Sequence, residues 1–119
     1  MHPNFEHASL DDASEILALQ KQAYQSEAEI YNDYSIQPLT QTIDEIYNEF
    51  THQTFLKATI DRTIVVSVRA YEQEGTCYIG KVIVHPDFQN QGIGARLLQK
   101  IEQTFSHAKR YELFTGARR

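Results

Sequence analysis

The chain has 119 residues, 41% of them apolar and 23% charged, with a net charge of −5. That composition excludes long disorder and fits one domain, residues 1–119, able to bury roughly two-thirds of its unfolded surface. A single cysteine, Cys77, excludes an internal disulfide, and no apolar run approaches the ~18 residues of a membrane span. Met1 to His7 lacks the basic-then-apolar order of a secretory signal. A cytoplasmic protein with no membrane or nucleic-acid partner is expected. The charge is divided. Residues 1–50 hold ten acids and one lysine, net −9, while residues 51–119 hold ten bases and six acids, net +4. Two kinds of ligand chemistry suit that division, although solvated helix faces produce the same pattern.

In chain order, Phe5 to Ser9 reads as a short first strand. Ser9 and Asp12 have the spacing of a capping box, and Ala13, Ile16, Leu17, Ala23 and Tyr24 follow at helical intervals. The first helix is placed at about residues 10–25. Ser26 to Leu39 is polar, acidic and interrupted by Pro38, and reads mainly as loop. Thr42 and Glu45 form a second capping-box pair. Ile43, Ile46, Tyr47 and Phe50 then mark one face of a short amphipathic second helix.

The middle of the chain has strand character. Phe55–Ile60 and Ile64–Tyr71 flank a turn at 61–63 and read as a hairpin. A turn with Gly75 leads into Cys77–Val84, where Gly80 predicts a bulge or a close backbone approach. Gly92 to Phe105 has the apolar spacing of a third helix, with Ile93, Leu97, Leu98, Ile101 and Phe105 toward the core. Tyr111–Thr115 closes the order as a last strand. The predicted order is β-α-α-β-β-β-α-β, an α+β (α/β mixed) class. A strand–helix–strand crossover over 77–115 implies at least one parallel pairing beside an antiparallel meander.

The chemistry concentrates where strand 77–84 runs through His85-Pro86-Asp87-Phe88 into Gln89-Asn90-Gln91-Gly92-Ile93-Gly94-Ala95-Arg96. The first N–H groups of a helix have no partner within it and carry the positive end of its dipole. Gly92 and Gly94 remove the Cβ atoms that would keep an anion away from them. Arg96, near a helix N-terminus, makes electrostatic sense beside a bound anion.

The pattern Gln-x-x-Gly-x-Gly at 89–94, preceded by Val84-His85-Pro86 and followed by Leu97-Leu98, resembles the acetyl-CoA signature of the GNAT superfamily of N-acetyltransferases. The order of elements is similar over nearly the whole chain, and Tyr111 to Ala117 resembles that family's fifth strand. The resemblance implies a GNAT-like acyl-CoA N-acyltransferase fold with acetyl-CoA as cofactor. The backbone of Val82, Ile83 and Val84 would pair with the pantetheine arm. The N–H groups from Gln89 through Asn90, Gln91, Gly92, Ile93 and Gly94 to Ala95 would hold the pyrophosphate, with Arg96 beside them. A splay between the fourth and fifth strands, opened by a bulge near Gly80–Val82, would admit the thioester. An N–H from Val82–Val84 would polarise its carbonyl.

In that family the first two helices help to build the acceptor site, so residues 1–50 are assigned to the acceptor side and 51–119 to the sheet and cofactor motif. Tyr31, Asp33 and Tyr34, with the acids Glu27 and Glu29, suit a small cationic amine by charge and cation–π contact. A base is needed because an ammonium is not nucleophilic. One branch of the family uses a glutamate six residues before the valine of Val-x-Pro. Here that position is Tyr78, and Glu27, Glu29 or a water relay are the alternatives. Tyr78 and Lys81 are expected on opposite sides of their strand. His85 reads as a loop residue and Cys77 as a small core residue. No spacing suggests a metal site.

The family pattern continues beyond a Phe-Thr-Gly-Ala-Arg stretch with a helix bearing an Asn and a Tyr, the latter the usual acid, and two more strands. This chain reads as C-terminally truncated against that pattern. Two function classes therefore stand: an N-acetyltransferase, or a catalytically impaired CoA-binding module acting by binding or dimerisation. The edge of the last strand suits a homodimer.

Overall fold

The computed structural model describes residues 2–114, with side chains except at Ser26, Glu27 and Phe114. Five strands form one sheet in the order β1-β2-β3-β4-β5: β1 Asn4–His7, β2 Thr54–Ile60, β3 Thr63–Gln73, β4 Thr76–Val84 and β5 Arg110–Phe114. The first four pair antiparallel, and β4 and β5 pair parallel across the connecting helix. The mixed sheet expected from the sequence is therefore present. The expected final strand residue, Thr115, lies outside the described residues.

Both hairpins close through two-residue turns. Asp61 and Arg62 have φ of 52° and 68°, and Glu74 and Gly75 have 52° and 84°. Two consecutive positive φ values match the twist of the flanking strands.

The helices are α1 Ala13–Tyr31, α2 Gln37–Thr40, α3 Ile43–Phe50 and α4 Ile93–Thr104. A 3₁₀ turn at Leu10–Asp12 precedes α1. The first helix is thus longer than predicted, running six residues past 25, and α2 occupies part of the expected loop. The polar stretch after Gln25 carries no apolar periodicity, but Asn32 terminates it as a helix does. Its φ is 51°, and its N–H donates to the carbonyls of Ala28 and Glu29. Pro38 falls in the first turn of α2, where its missing N–H costs nothing. On α3, Ile46 is buried but Tyr47 is exposed, so the apolar face is narrower than the spacing predicts.

Two cores cover the two sheet faces. Ile93, Leu97 and Ile101 of α4 pack with Leu56, Ala58, Val66, Val68, Ala70, Cys77 and Ile79. Ile16 and Leu19 of α1 pack with Phe55, Ile64 and Ile83. The strand period of two explains the division of Phe55 and Leu56 between the cores. On β4 the parity changes midway: Cys77 and Ile79 face α4, whereas Ile83 faces α1. The cause is a bulge. Arg69 opposes Gly80 and Ser67 opposes Ile83, so β4 carries one more residue than β3 across this interval.

Candidate active site

The site begins at that bulge. Lys81 lies within it, with φ 48°. The described part of β5 ends at Phe114, which pairs with Gly80 just before the bulge. On the other side of β4, Val66 and Ser67 of β3 pair with Val84 and Ile83. The sequence-predicted bulge is present at the predicted residues, and the residues that follow β5, where the expected splay would be read, lie outside the described ones. Val82 and Val84 pack toward the α4 core, and Ile83 is buried beneath α1.

Beyond β4, His85 turns the chain. Its N–H donates to the carbonyl of Val65 at 2.8 Å, and its Nδ1 accepts from the N–H of Asp87 at 3.0 Å. His85 is thus a loop residue, as expected. The loop continues through exposed Gln89, Asn90 (φ 63°) and Gln91 to Gly92 (φ 79°), the N-cap of α4. An L side chain at Gly92 would be strained, although a Cβ there would meet nothing within 4 Å. At Gly94 a Cβ would stand 3.4 Å from Val84 Cγ2, so this glycine lets α4 approach the end of β4.

The starts of α3 and of the turn before α1 make the contrast, whereas four-residue α2 is also without a side-chain cap or an acid. At α3, Thr42 and Glu45 exchange side-chain hydrogen bonds with each other's N–H, and Asp44 adds charge. At the turn before α1, the N–H of Ser9 donates to Asp12. The N-terminus of α4 has no side-chain cap and no acid in its first turn. Its N–H groups and dipole are free for an external anion. The Arg96 guanidinium lies over the Phe5 ring, 4.8 Å from the centroid.

On the α1 face, a buried polar network lies beside the bulge. Arg69 is 1% exposed. Its Nη1 is 2.7 Å from Glu49 Oε1, its Nη2 donates to Gln20 Oε1 at 2.8 Å, and it stacks over Phe55. Gln20 Nε2 donates to Gln41 Oε1 at 2.8 Å and to the carbonyl of Pro38, and Gln41 Nε2 donates to Glu49. This network joins α1, α2 and α3 to β3. Sequence reasoning missed it, and its only local signal was polar residues at helical core spacing. Arg69 Nε and Ser67 Oγ, two positions apart on the same strand face, are buried with no partner among the described residues.

Lys81 approaches the same group. Burial and the charge of Arg69 lower its affinity for a proton, against a smaller opposing effect of Glu49. The bulge also corrects the expected facing of Tyr78 and Lys81. Cys77 and Ile79 face α4, so Tyr78 faces α1, where it stacks on Tyr71 at 5.2 Å. The extra residue brings Lys81 to that same face.

The predicted acceptor residues occupy the end of α1 and the following turn. Glu29, Tyr31 and Tyr34 are exposed. Asp33 Oδ1 accepts from the N–H of Ser35 at 3.0 Å and from its hydroxyl, so this acid also holds a turn. The Glu27 side chain lies outside the described ones. Cys77 is fully buried, and burial pushes its thiol up to about 11, as suits a core residue. A separate groove of about 230 Å³ lies between β1 and α4, lined by Phe5, His7, Leu56 and Lys100 among others, away from the glycine turn. Among the described residues no group of acids, histidines and cysteine is placed to hold a metal, and no helix is long and apolar enough to cross a membrane.

A mixed sheet whose last pair is parallel, joined by a helix that starts at a glycine, is the architecture of the acyl-CoA N-acyltransferases. More particularly, residues 14–118 match the acetyltransferase (GNAT) family, and the chain belongs to that family. It is an acetyl-CoA-dependent N-acetyltransferase by that membership. Solved structures share the fold. The PaiA N-acetyltransferase of Thermoplasma acidophilum, in complex with coenzyme A, superposes with a TM-score of 0.75 at 14% identity, over 89% of this chain and 73% of that one. A GNAT family acetyltransferase of Brucella melitensis, in complex with acetyl-CoA, gives 0.73 at 22% identity, over 91% and 71%. An aminoglycoside acetyltransferase from an uncultured soil metagenomic sample, in complex with sisomicin, gives 0.68 at 20% identity, over 98% and 78%. No curated protein sequence matches.

Proposed function

We propose that the chain transfers the acetyl group of acetyl-CoA to the primary amine of a small cationic acceptor, by direct attack and without a covalent enzyme intermediate. One observation carries the cofactor half of this reading: the start of α4, with no side-chain cap and no acid in its first turn, is reached from the end of β4 through a loop whose last residue is Gly92 at φ 79°. Gly92 leaves a space that a side chain would occupy, so the residues present fit the group. The N–H groups from Gln89 to Ala95 would bind its pyrophosphate. The edge of Val82–Val84 opposite β3 would pair with its pantetheine amides, and one N–H there would polarise the carbonyl under attack. Acetyl-CoA supplies an acetyl carbonyl activated as a thioester.

The acceptor half rests on charge. The C-terminal end of α1 has no base in its last turn and carries Glu27 and Glu29. These acids add to the negative end of the helix dipole, which costs stability unless a cation is near. Tyr31 and Tyr34 are exposed beside them and can stack on an ammonium. An aminoglycoside, bound by one neighbour of similar fold, is a small polyamine of this kind. The domain is read as one unit, with residues 1–50 on the acceptor side and 51–119 forming the sheet and cofactor motif.

Thermal shift with acetyl-CoA, followed by free-thiol release with spermidine, glucosamine and amino-acid amides, tests the proposal. A rise in Tm with thiol release dependent on an amine is expected. A shift without turnover would favour a binding module, and no shift at millimolar acetyl-CoA would refute both readings.

A further inference from the structure

We propose that Lys81 Nζ is the base that takes the proton from the acceptor's ammonium. The inference rests on the acetyl-transfer reading above and adds the residue that activates the amine.

Position is the first argument. Lys81 follows Gly80, the last β4 position with a described β5 partner, and lies in the β4 bulge directly before Val82–Val84, the segment proposed to hold the thioester. Its φ of 48° costs an L-residue about 1–2 kcal/mol. Gly80 beside it could have taken that conformation without cost, so the strain falls on the residue whose side chain is a lysine. The bulge then directs that side chain to the α1 face, which is the acceptor side, rather than toward α4.

Surroundings are the second argument. The charged groups that act on it are Arg69 on β3 and Glu49 on α3; Tyr78 of β4, stacked on Tyr71 of β3, shares its face, and Tyr24 of α1 acts on Arg69. Glu49 is engaged by Arg69 at 2.7 Å and also accepts from Gln41. Among the described residues no carboxylate lies within ion-pair distance of Lys81. A half-buried amine facing a guanidinium, with the nearest carboxylate already engaged, is held toward its neutral form. A neutral amine is what a base in this position must be.

Elimination is the third argument. Among the described side chains, Tyr78, at the position of the family's glutamate, is packed on Tyr71, and Glu29 is exposed near the C-terminal end of α1; the Glu27 side chain lies outside the described ones. The step moves one proton from the acceptor nitrogen to Nζ, and the acceptor keeps the electron pair. Nζ then releases that proton to the departing sulfur or to water and returns to neutral. No oxidant or reductant is required.

The test compares wild type with Lys81→Met and Lys81→Arg, using acetyl-CoA and spermidine. Lysines labelled with ¹³C at Cε are titrated by NMR, the Lys81 signal being the one absent from Lys81→Met. It should titrate below Lys21, Lys57, Lys100 and Lys109. In thiol release both variants should lose about 100-fold or more in kcat, with coenzyme A affinity and acceptor KM within about threefold of wild type. Arginine should not rescue, because it cannot become neutral at these pH values. A Lys81 that titrates with the other four lysines, or a Lys81→Met variant with kcat within about threefold of wild type, overturns the inference. A wild type that neither binds acetyl-CoA nor releases thiol refutes the acetyl-transfer reading instead. If it binds without turnover, the titration alone decides.

Discussion

Replacing Glu49 with Gln should damage the fold more than removing the arginine it faces. Arg69 is 1% exposed and keeps its charge in every accessible pH range. Its counter-ion is Glu49, whose two carboxylate oxygens accept from Arg69 Nη1 and from Gln41 Nε2. Glutamine at 49 removes the negative charge and places an N–H₂ group against one of those two donors. Loss of one partner from a buried pair costs about 3–5 kcal/mol. The Glu49 side chain is 18% exposed, so water recovers part of this, and about 2–4 kcal/mol is expected. For a chain of this size that lowers Tm by roughly 8–15 °C. Arg69→Met behaves differently. Glu49, 18% exposed, keeps the Gln41 N–H and gains water in place of the guanidinium, the unpartnered Nε disappears, and Gln20 Oε1 loses a donor. Its cost should be about 1–2 kcal/mol, below that of Glu49→Gln. Urea unfolding of the two variants and wild type checks the asymmetry. Equal destabilisation, or a Glu49→Gln loss below about 1 kcal/mol, would refute the account of a guanidinium held by one carboxylate.

Three other outcomes follow from single positions. Gly92→Ala forces an L-residue to φ 79° without meeting any atom, so calorimetry should show a loss of about 1–2 kcal/mol, and titration a weaker affinity for coenzyme A. Cys77, fully buried with its thiol pushed up to about 11, should resist a disulfide reagent at pH 8 in the native state and react once urea unfolds the chain. Lys81 has a lowered folded-state pKa, so between that value and the ordinary lysine value the unfolded chain binds more protons. Stability should therefore rise with pH through that window, and the rise should vanish in Lys81→Met, which should also be more stable at neutral pH. A pH–Tm series on both proteins measures it.

What the sequence revealed and what it hid divide by the distance over which each signal acts. The buried face of α4, Ile93, Leu97 and Ile101, is legible because one helix period sets it. The glycine turn is legible because strand, turn and helix follow one another within a dozen residues. The extension of α1 to Tyr31 was hidden, since Ser26–Tyr31 offers no periodicity and the stop signal is one asparagine in the left-handed region. The Arg69 network was hidden for a different reason: its partners lie 20 and 49 residues away in the chain. Lys81 combines both cases. Gly80 marks where the bulge falls, but the face on which Lys81 emerges depends on how many β3 residues stand opposite, which no single strand records. Local rules yield twice between the end of β4 and the start of α4: a lysine with positive φ, and a helix without a side-chain cap. Each has a stability cost when considered alone. The proposed acetyl transfer gives both a use, since the helix start would offer N–H groups to a phosphorylated carrier and the bulge turns an amine toward the side proposed for the acceptor.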